Sequence, residues 1–250
     1  MEIGAQFFTL REHCKDLDSF SESLKRVADI GYKNVQISGT CEFEADWLKA
    51  ELDKNGLKCV VTHTHPDKLT ADAACVAKDH SIFGCENVGL GYHFFDEEKP
   101  KESFLEFVDK YVPIADALAQ NGKYFMYHNH DSEFIKFDGK TIFEHIAETF
   151  SPDKLGFIID TYWVQNGGGD PALWIEKFKG RLPCIHLKDY AYGKKMAVVG
   201  EGNINFDRVF QKAEEAGTKY MLVEQDNCNG ENEFDCLKRS YEFLKSRGFN

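Results

Sequence analysis

The chain has 250 residues, enough for one large domain or two small ones with a sizeable core. Lysine and arginine total 30 against 42 aspartate and glutamate, a net charge of −12 that argues against a nucleic-acid or anionic-membrane surface. A hydrophobic share of 42% excludes disorder as the main state. No apolar run approaches the roughly 20 residues of a membrane helix. Met1-Glu2-Ile3-Gly4 opens on a strand-like run without secretory features, so a cytoplasmic location is expected. The cysteines are scattered with no C-x-x-C pair, and are read as reduced and structural.

Short β-rich runs alternate with amphipathic stretches along the whole chain. Strands are expected at Ile3–Thr9, Asn34–Ser38, Lys58–His63, Asn87–Gly91, Tyr124–His128, Leu155–Thr161, Pro183–Lys188 and Tyr220–Gln225. Most are apolar without clean alternation, as parallel strands covered on both faces should be. Between them, Asp18-Ser19 can cap a helix that ends near Gly31, and Phe43–Asn55 ends at Gly56. Further helices are expected at Leu69–Phe83, Phe104–Gln120, Thr141–Phe150, Pro171–Phe178, Asp207–Ala216 and Glu233–Ser246. Eight strand–helix units without a linker predict a single (β/α)8 TIM barrel over residues 1–250. A doubly wound sheet is disfavoured, because Gly89-Leu90-Gly91 lacks the third glycine of a dinucleotide fingerprint.

In such a barrel the chemistry is built at the C-terminal ends of strands. Those ends carry His63 and His65, His93, then His128-Asn129-His130 with Glu133, Asp160 with Trp163, His186 with Lys188, and Glu224. Gathering so many ionisable groups costs free energy unless they pair or hold a cation. Asp160, His186 and Glu224, with one group from the fifth strand, suit a five- or six-coordinate divalent ion. Mixed carboxylate and imidazole ligands favour manganese, taken first, or magnesium, cobalt, iron or zinc.

The motifs together resemble the xylose-isomerase-like TIM-barrel superfamily, in its sugar phosphate isomerase/epimerase group. They include Gln6-Phe7-Phe8-Thr9-Leu10-Arg11, Tyr127-His128-Asn129-His130 with Glu133-Phe134, and Ile159-Asp160-Thr161. His186-Leu187-Lys188-Asp189, Gly200-Glu201-Gly202-Asn203-Ile204 and Glu224-Gln225-Asp226 complete the pattern, which spans essentially the whole chain. The resemblance implies one divalent metal held by Glu, Asp, His and Glu. Asp160, His186 and Glu224 match cleanly. For the fifth strand Glu133 is preferred as ligand, with His128 or His130 facing substrate. Gln36 stands where relatives often carry Glu.

The activity so implied is a metal-dependent sugar isomerase or epimerase that removes a proton next to a carbonyl. Glu224, His128, His130 and Lys188 are the catalytic candidates, and His63, Asn129 and Trp163 the substrate-binding ones. A lyase or dehydratase of a keto-inositol or 3-oxo-glycoside is the alternative. An abasic-site endonuclease and a non-catalytic sugar-binding barrel are weaker readings. The expected partner is a small carbohydrate, with a homo-oligomer left open.

Overall fold

The computed structural model describes all residues, 1–250. Eight parallel strands close on themselves: β1 (Glu2–Gln6), β2 (Asn34–Ile37), β3 (Lys58–His63), β4 (Asn87–Leu90), β5 (Tyr124–His128), β6 (Leu155–Asp160), β7 (Cys184–Leu187) and β8 (Tyr220–Val223). Each pairs with its sequence neighbours, and β1 pairs with β8 through Gly4–Leu222 and Ala5–Val223, so no edge is left open. The helices around them are α1 (Leu17–Ile30), α2 (Ala45–Asn55), α3 (Pro66–Ala71), α4 (Ala73–Ile82), α5 (Pro100–Gln120), α6 (Ile142–Thr149), α7 (Thr161–Asn166), α8 (Pro171–Lys177), α9 (Phe206–Ala216) and α10 (Glu233–Ser246). The fold is therefore the (β/α)8 barrel that the spacing of strand signals predicts.

The core has two main parts, beside a small cluster of Val198, Cys228 and Cys236. The larger lies between strands and helices and contains Phe7, Phe20, Phe107, Phe125 and Phe157. A smaller cluster includes Val60, Met126, Ile158, Cys184 and Leu222. Side chains two apart on a strand share a face. Met126, Ile158, Cys184 and Leu222 therefore set the face on which His128, Asp160, His186 and Glu224 follow. Asp160 lies directly opposite His186, and His128 opposite Ile158.

Several boundaries differ from the sequence expectation, each for a local reason. β1 stops at Gln6 because its side chain accepts the Phe8 N–H and starts a 3-10 helix, Phe7–His13. The expected helix 69–83 is two helices: Asp72 is extended, with φ −161°, and its carboxylate caps α4 at Cys75. α1 is capped by Asp16 rather than Asp18, in a reciprocal pairing with Ser19. α7 went unrecognised because its first residue, Thr161, continues an apolar strand; Asp160 caps it through the Trp163 N–H.

Two loops beyond the barrel are ordered by side chains. After β7, the Asp189 carboxylate accepts N–H groups of Tyr190, Gly200, Gly202 and Ile204, which fixes a short hairpin, 189–191 with 195–197. No helix is long and apolar enough to cross a membrane. At α6, Thr141 and Glu144 cap each other reciprocally. Thr141→Ala should lower the unfolding free energy by about 1 kcal/mol, read from the urea midpoint at unchanged slope. An unaltered midpoint would show that this cap contributes nothing.

Candidate active site at the C-terminal end of the barrel

Four buried side chains meet at the C-terminal ends of β5 to β8. One ligand-type atom from each of His128, Asp160, His186 and Glu224 lies within 4.8 Å of the others. His128 Nε2 is 3.2 Å from Asp160 Oδ2, and His186 Nδ1 is 2.9 Å from Glu224 Oε2.

Each of the four is held from outside by its other polar atom. His128 Nδ1 donates to the Gly91 carbonyl at 3.0 Å, and His186 Nε2 donates to Gln36 Oε1 at 2.7 Å. Asp160 Oδ1 accepts the Trp163 N–H at 3.0 Å, and Glu224 Oε1 accepts from Gln6 Nε2 at 2.6 Å. Because an acceptor takes the outer N–H of each ring, the inner nitrogen of the neutral ring keeps its lone pair. Two imidazole lone pairs and two carboxylate oxygens thus converge, a donor set that can hold a metal ion. His186 Nδ1 and Glu224 Oε2 have no aligned hydrogen-bond partner despite full burial. Such atoms are costly to leave unpaired.

Lys188 closes the group. Its ammonium lies 3.2 Å from Asp160 Oδ2, 2.9 Å from Glu224 Oε2 and 3.0 Å from Asp226 Oδ1. Burial opposes its charge, but the three carboxylates outweigh that and hold its pKa above the ordinary lysine value. Burial alone would raise the carboxyls of Asp160 and Glu224, yet Lys188 and the neighbouring histidines hold both well below the usual range. Asp226 goes the other way, pushed up to about 6 by burial and by Glu224.

A cavity of about 670 Å³ opens above these residues. On its wall His63 donates or accepts at Ser38 Oγ through Nδ1, 3.2 Å away, while its buried Nε2 is unpartnered. Its ring sits against Gly91, where any Cβ would come within 2.7 Å of His63 Nδ1. His130 Nδ1 is unpartnered too, and its ring centroid is 4.8 Å from that of His128. Burial, then neighbouring histidines, keep His63 and His130 neutral; His130 is pushed down to about 3. Trp163 lies tilted against His130, ring centroids 5.0 Å apart, with Nε1 buried and unpartnered.

Two expectations need correcting. Glu133 does not join the cluster; His128 stands in the place given to it. It is fully buried in the 3-10 turn Ser132–Phe134, where it accepts from Tyr127 Oη at 2.5 Å, Ser132 Oγ at 2.9 Å and the His130 N–H at 3.0 Å. Asn129 faces backbone rather than the cavity: its Oδ1 accepts the Asp160 N–H at 3.0 Å, and its Nδ2 donates to the His130 carbonyl. Three rim histidines also stay apart. His13 pairs with Glu233, His65 caps α3, and His93 packs among Phe95, Phe107 and Tyr111.

Sequence reasoning missed Gln6 and Asp226 as parts of the site. Gln6 carried a signal, since it is the last residue of its strand, in phase with Gly4 on the barrel interior. Asp226 lies beyond the last strand, where no phase can be assigned.

The model of the xylose isomerase-like TIM barrel family matches residues 24–247, and the chain belongs to that family. Among characterised proteins, it is 25% identical over 236 residues to the 2-oxo-tetronate isomerase of Haemophilus influenzae, covering 82% of this chain and 87% of that protein. A sugar phosphate isomerase/epimerase from Parabacteroides distasonis superposes with a TM-score of 0.83 at 22% identity, covering 98% of this chain and 93% of the other. The probable 3-DHS dehydratase of Bacillus anthracis gives a TM-score of 0.72 at 15% identity, covering 99% and 100%.

Glu133 supplies a test of the turn that carries His130. Burial, against three donors, pushes its carboxyl up to about 7. A carboxyl raised above its unfolded value costs stability once pH passes that unfolded value. Wild-type stability should therefore fall, through this group, from about pH 4.5 to pH 7. Urea unfolding of Glu133→Gln across that window should lack this component, and parallel profiles for the two proteins would contradict the assignment.

Proposed function

We propose that this protein is a divalent-metal-dependent isomerase or epimerase of a ketose or related keto-sugar, acting by removal of the proton next to the carbonyl. One observation carries the reading: four buried residues on adjacent strands, each anchored outward, present their remaining lone pairs to one point. The local charge agrees. Asp160, Glu224 and Asp226 face the single ammonium of Lys188, leaving two negative charges for a divalent cation to balance. Likeness to a 2-oxo-tetronate isomerase further supports chemistry at a carbonyl.

His128, Asp160, His186 and Glu224 would hold the ion, with manganese the first choice for such oxygen and imidazole donors. When bound there, a divalent ion polarises the carbonyl and the adjacent hydroxyl of a keto-sugar. Glu224 Oε2, a carboxylate oxygen with a second lone pair beside the one it would give the ion, takes the proton next to the carbonyl and returns it to the neighbouring carbon, while the proton of the adjacent hydroxyl passes to the carbonyl oxygen, which isomerises the sugar. Gln6 keeps that carboxylate in place through Oε1. Lys188 donates to the substrate oxygen on which negative charge grows. His128 has one nitrogen on Gly91 and the other turned to the cluster, so it has none left for proton transfer. For epimerisation a group is needed on the opposite face, and His130 Nδ1 is the free ring nitrogen. His63 Nε2 and Trp163 Nε1 meet substrate hydroxyls.

Manganese titration by calorimetry tests the ligand set. Asp160→Ala and His186→Ala should lose metal binding and turnover while circular dichroism stays native. Gln6→Ala should weaken binding by about 10- to 100-fold, as loss of an outer hydrogen bond does. His128→Ala should weaken it severely, whereas Glu133→Gln should leave it intact; the reverse pattern would restore Glu133 as the ligand. The reaction is tested by incubating the loaded enzyme with ketoses and keto-inositols in D₂O and following NMR spectra. Deuterium should enter next to the carbonyl, and the product then distinguishes isomerisation, epimerisation and loss of a β-hydroxyl. Turnover without any exchange would sink proton abstraction.

A further inference from the structure

The cavity does not end at the reacting groups. From the four-residue cluster it continues over the ends of β2 and β3 to residues at the start of α2 and along α4, two neighbouring helices. This outer part is walled by Ile37, Phe43, Ala45, Val76 and Phe83. Three of its polar side chains, Thr62, Thr64 and His80, are already paired with one another. His80 Nε2 meets Thr62 Oγ1 at 2.8 Å, His80 Nδ1 donates to the Val76 carbonyl at 2.8 Å, and Thr64 Oγ1 bonds Thr62 Oγ1. A polar group entering beside them must break one of these bonds to gain another. At the inner end the opposite holds, because His63 Nε2 and His130 Nδ1 have no partner. The cavity thus sorts its contents: polar toward the cluster, apolar away from it.

Size and charge narrow the occupant. A hexose has twelve non-hydrogen atoms; even at the roughly 30 Å³ of a whole water molecule each, it fills about 360 Å³. The cavity holds about 670 Å³. Its lysines are Lys68 and Lys188, and both are committed, the first to Glu42 and the second to three carboxylates. Arg11, behind Phe8, donates to the carbonyls of Phe8 and Asp226. Glu42, Asp79 and Asp226 line the same space. A phosphate would find no free cation there and several carboxylates.

We infer that the substrate is an unphosphorylated keto-sugar bearing an apolar substituent, an oxo-glycoside whose ring carbonyl meets the cluster and whose aromatic or alkyl aglycone is seated between α2 and α4; simple glycosides are its non-reacting analogues. This rests on the proposed reading only for which end of the molecule reacts. Phe43, Val76 and Phe83 are then the specificity-determining residues, and the barrel acts on decorated sugars rather than on sugar phosphates.

Binding is measured by calorimetry on the full protein, with and without manganese. The probes are methyl and phenyl β-glycosides of glucose, galactose and xylose, together with glucose 6-phosphate and free glucose. For at least one sugar the phenyl glycoside should bind about tenfold more tightly than the methyl one, equivalent to about 1.4 kcal/mol. Glucose 6-phosphate should bind more weakly than glucose. Val76→Trp, and separately Ala45→Phe, fill the outer cavity and should bring the phenyl gain below about twofold (a tenfold gain being the reference). Manganese affinity and circular dichroism, unchanged in each, serve as the fold control. No phenyl gain with any sugar, a gain that survives both fillings, or tighter binding of the phosphate would overturn the inference. A phenyl gain in a protein that binds no manganese and exchanges no proton would leave the inference standing and overturn the isomerase reading alone.

Discussion

A side chain can aim one lone pair inward only if its other polar atom is held somewhere else. This constraint governs the mouth of the barrel. Gly91, Gln36, Trp163 and Gln6 supply the outer partners of His128, His186, Asp160 and Glu224, and they come from four different strands or loops. Through these bonds each fixes a ring tautomer or a carboxylate rotation. The apolar residues two positions earlier, Met126, Ile158, Cys184 and Leu222, set the face on which the four follow. Packing below and hydrogen bonds outside leave the inner atoms with no alternative direction.

The arrangement is electrostatically expensive, and Lys188 is what makes it tolerable. Burial of Asp160 and Glu224 within 3 to 4 Å of each other's partners would favour protonation; the ammonium between them reverses that balance. The lysine itself is fully enclosed and keeps its charge only because the carboxylates are there. Each charge is thus conditional on the others, so removing any one leaves an uncompensated buried ion. Asp226, at the edge of the group, completes the lysine's coordination and connects the cluster to the loop after β8.

Much of this was legible in the sequence because strand ends are legible. Asp160, His186 and Glu224 each close an apolar run, and a closed parallel barrel brings the ends of such runs to one rim. The same logic, carried one step further, selects His128: it stands two residues after Met126 and in phase with it, whereas Glu133 lies five residues on, past the strand. Preferring a carboxylate over an imidazole on chemical type overrode that phase. The partners of Gln36 and Gln6 could not be assigned from sequence, since they are 150 and 218 residues away and are specified only by barrel closure. Asn129 misled for a different reason. An amide beside two histidines reads as a substrate contact, but the Asp160 N–H at the β6 end needed an acceptor.

The pairing of β1 with β8 sets the order in which the molecule becomes competent. Gln6 is made 218 residues before Glu224, and they meet only when the eighth strand slots beside the first. Until then three of the four cluster residues can be in place, but the fourth is missing and its anchor, Gln6, waits without a partner. A nascent chain that has not yet reached β8 therefore cannot assemble the cluster, however well its earlier units have folded. Contacts of such large sequence separation form slowly, so ring closure and the appearance of the site are one late event, and whatever binds the finished cluster stabilises the closed ring over every partly built one.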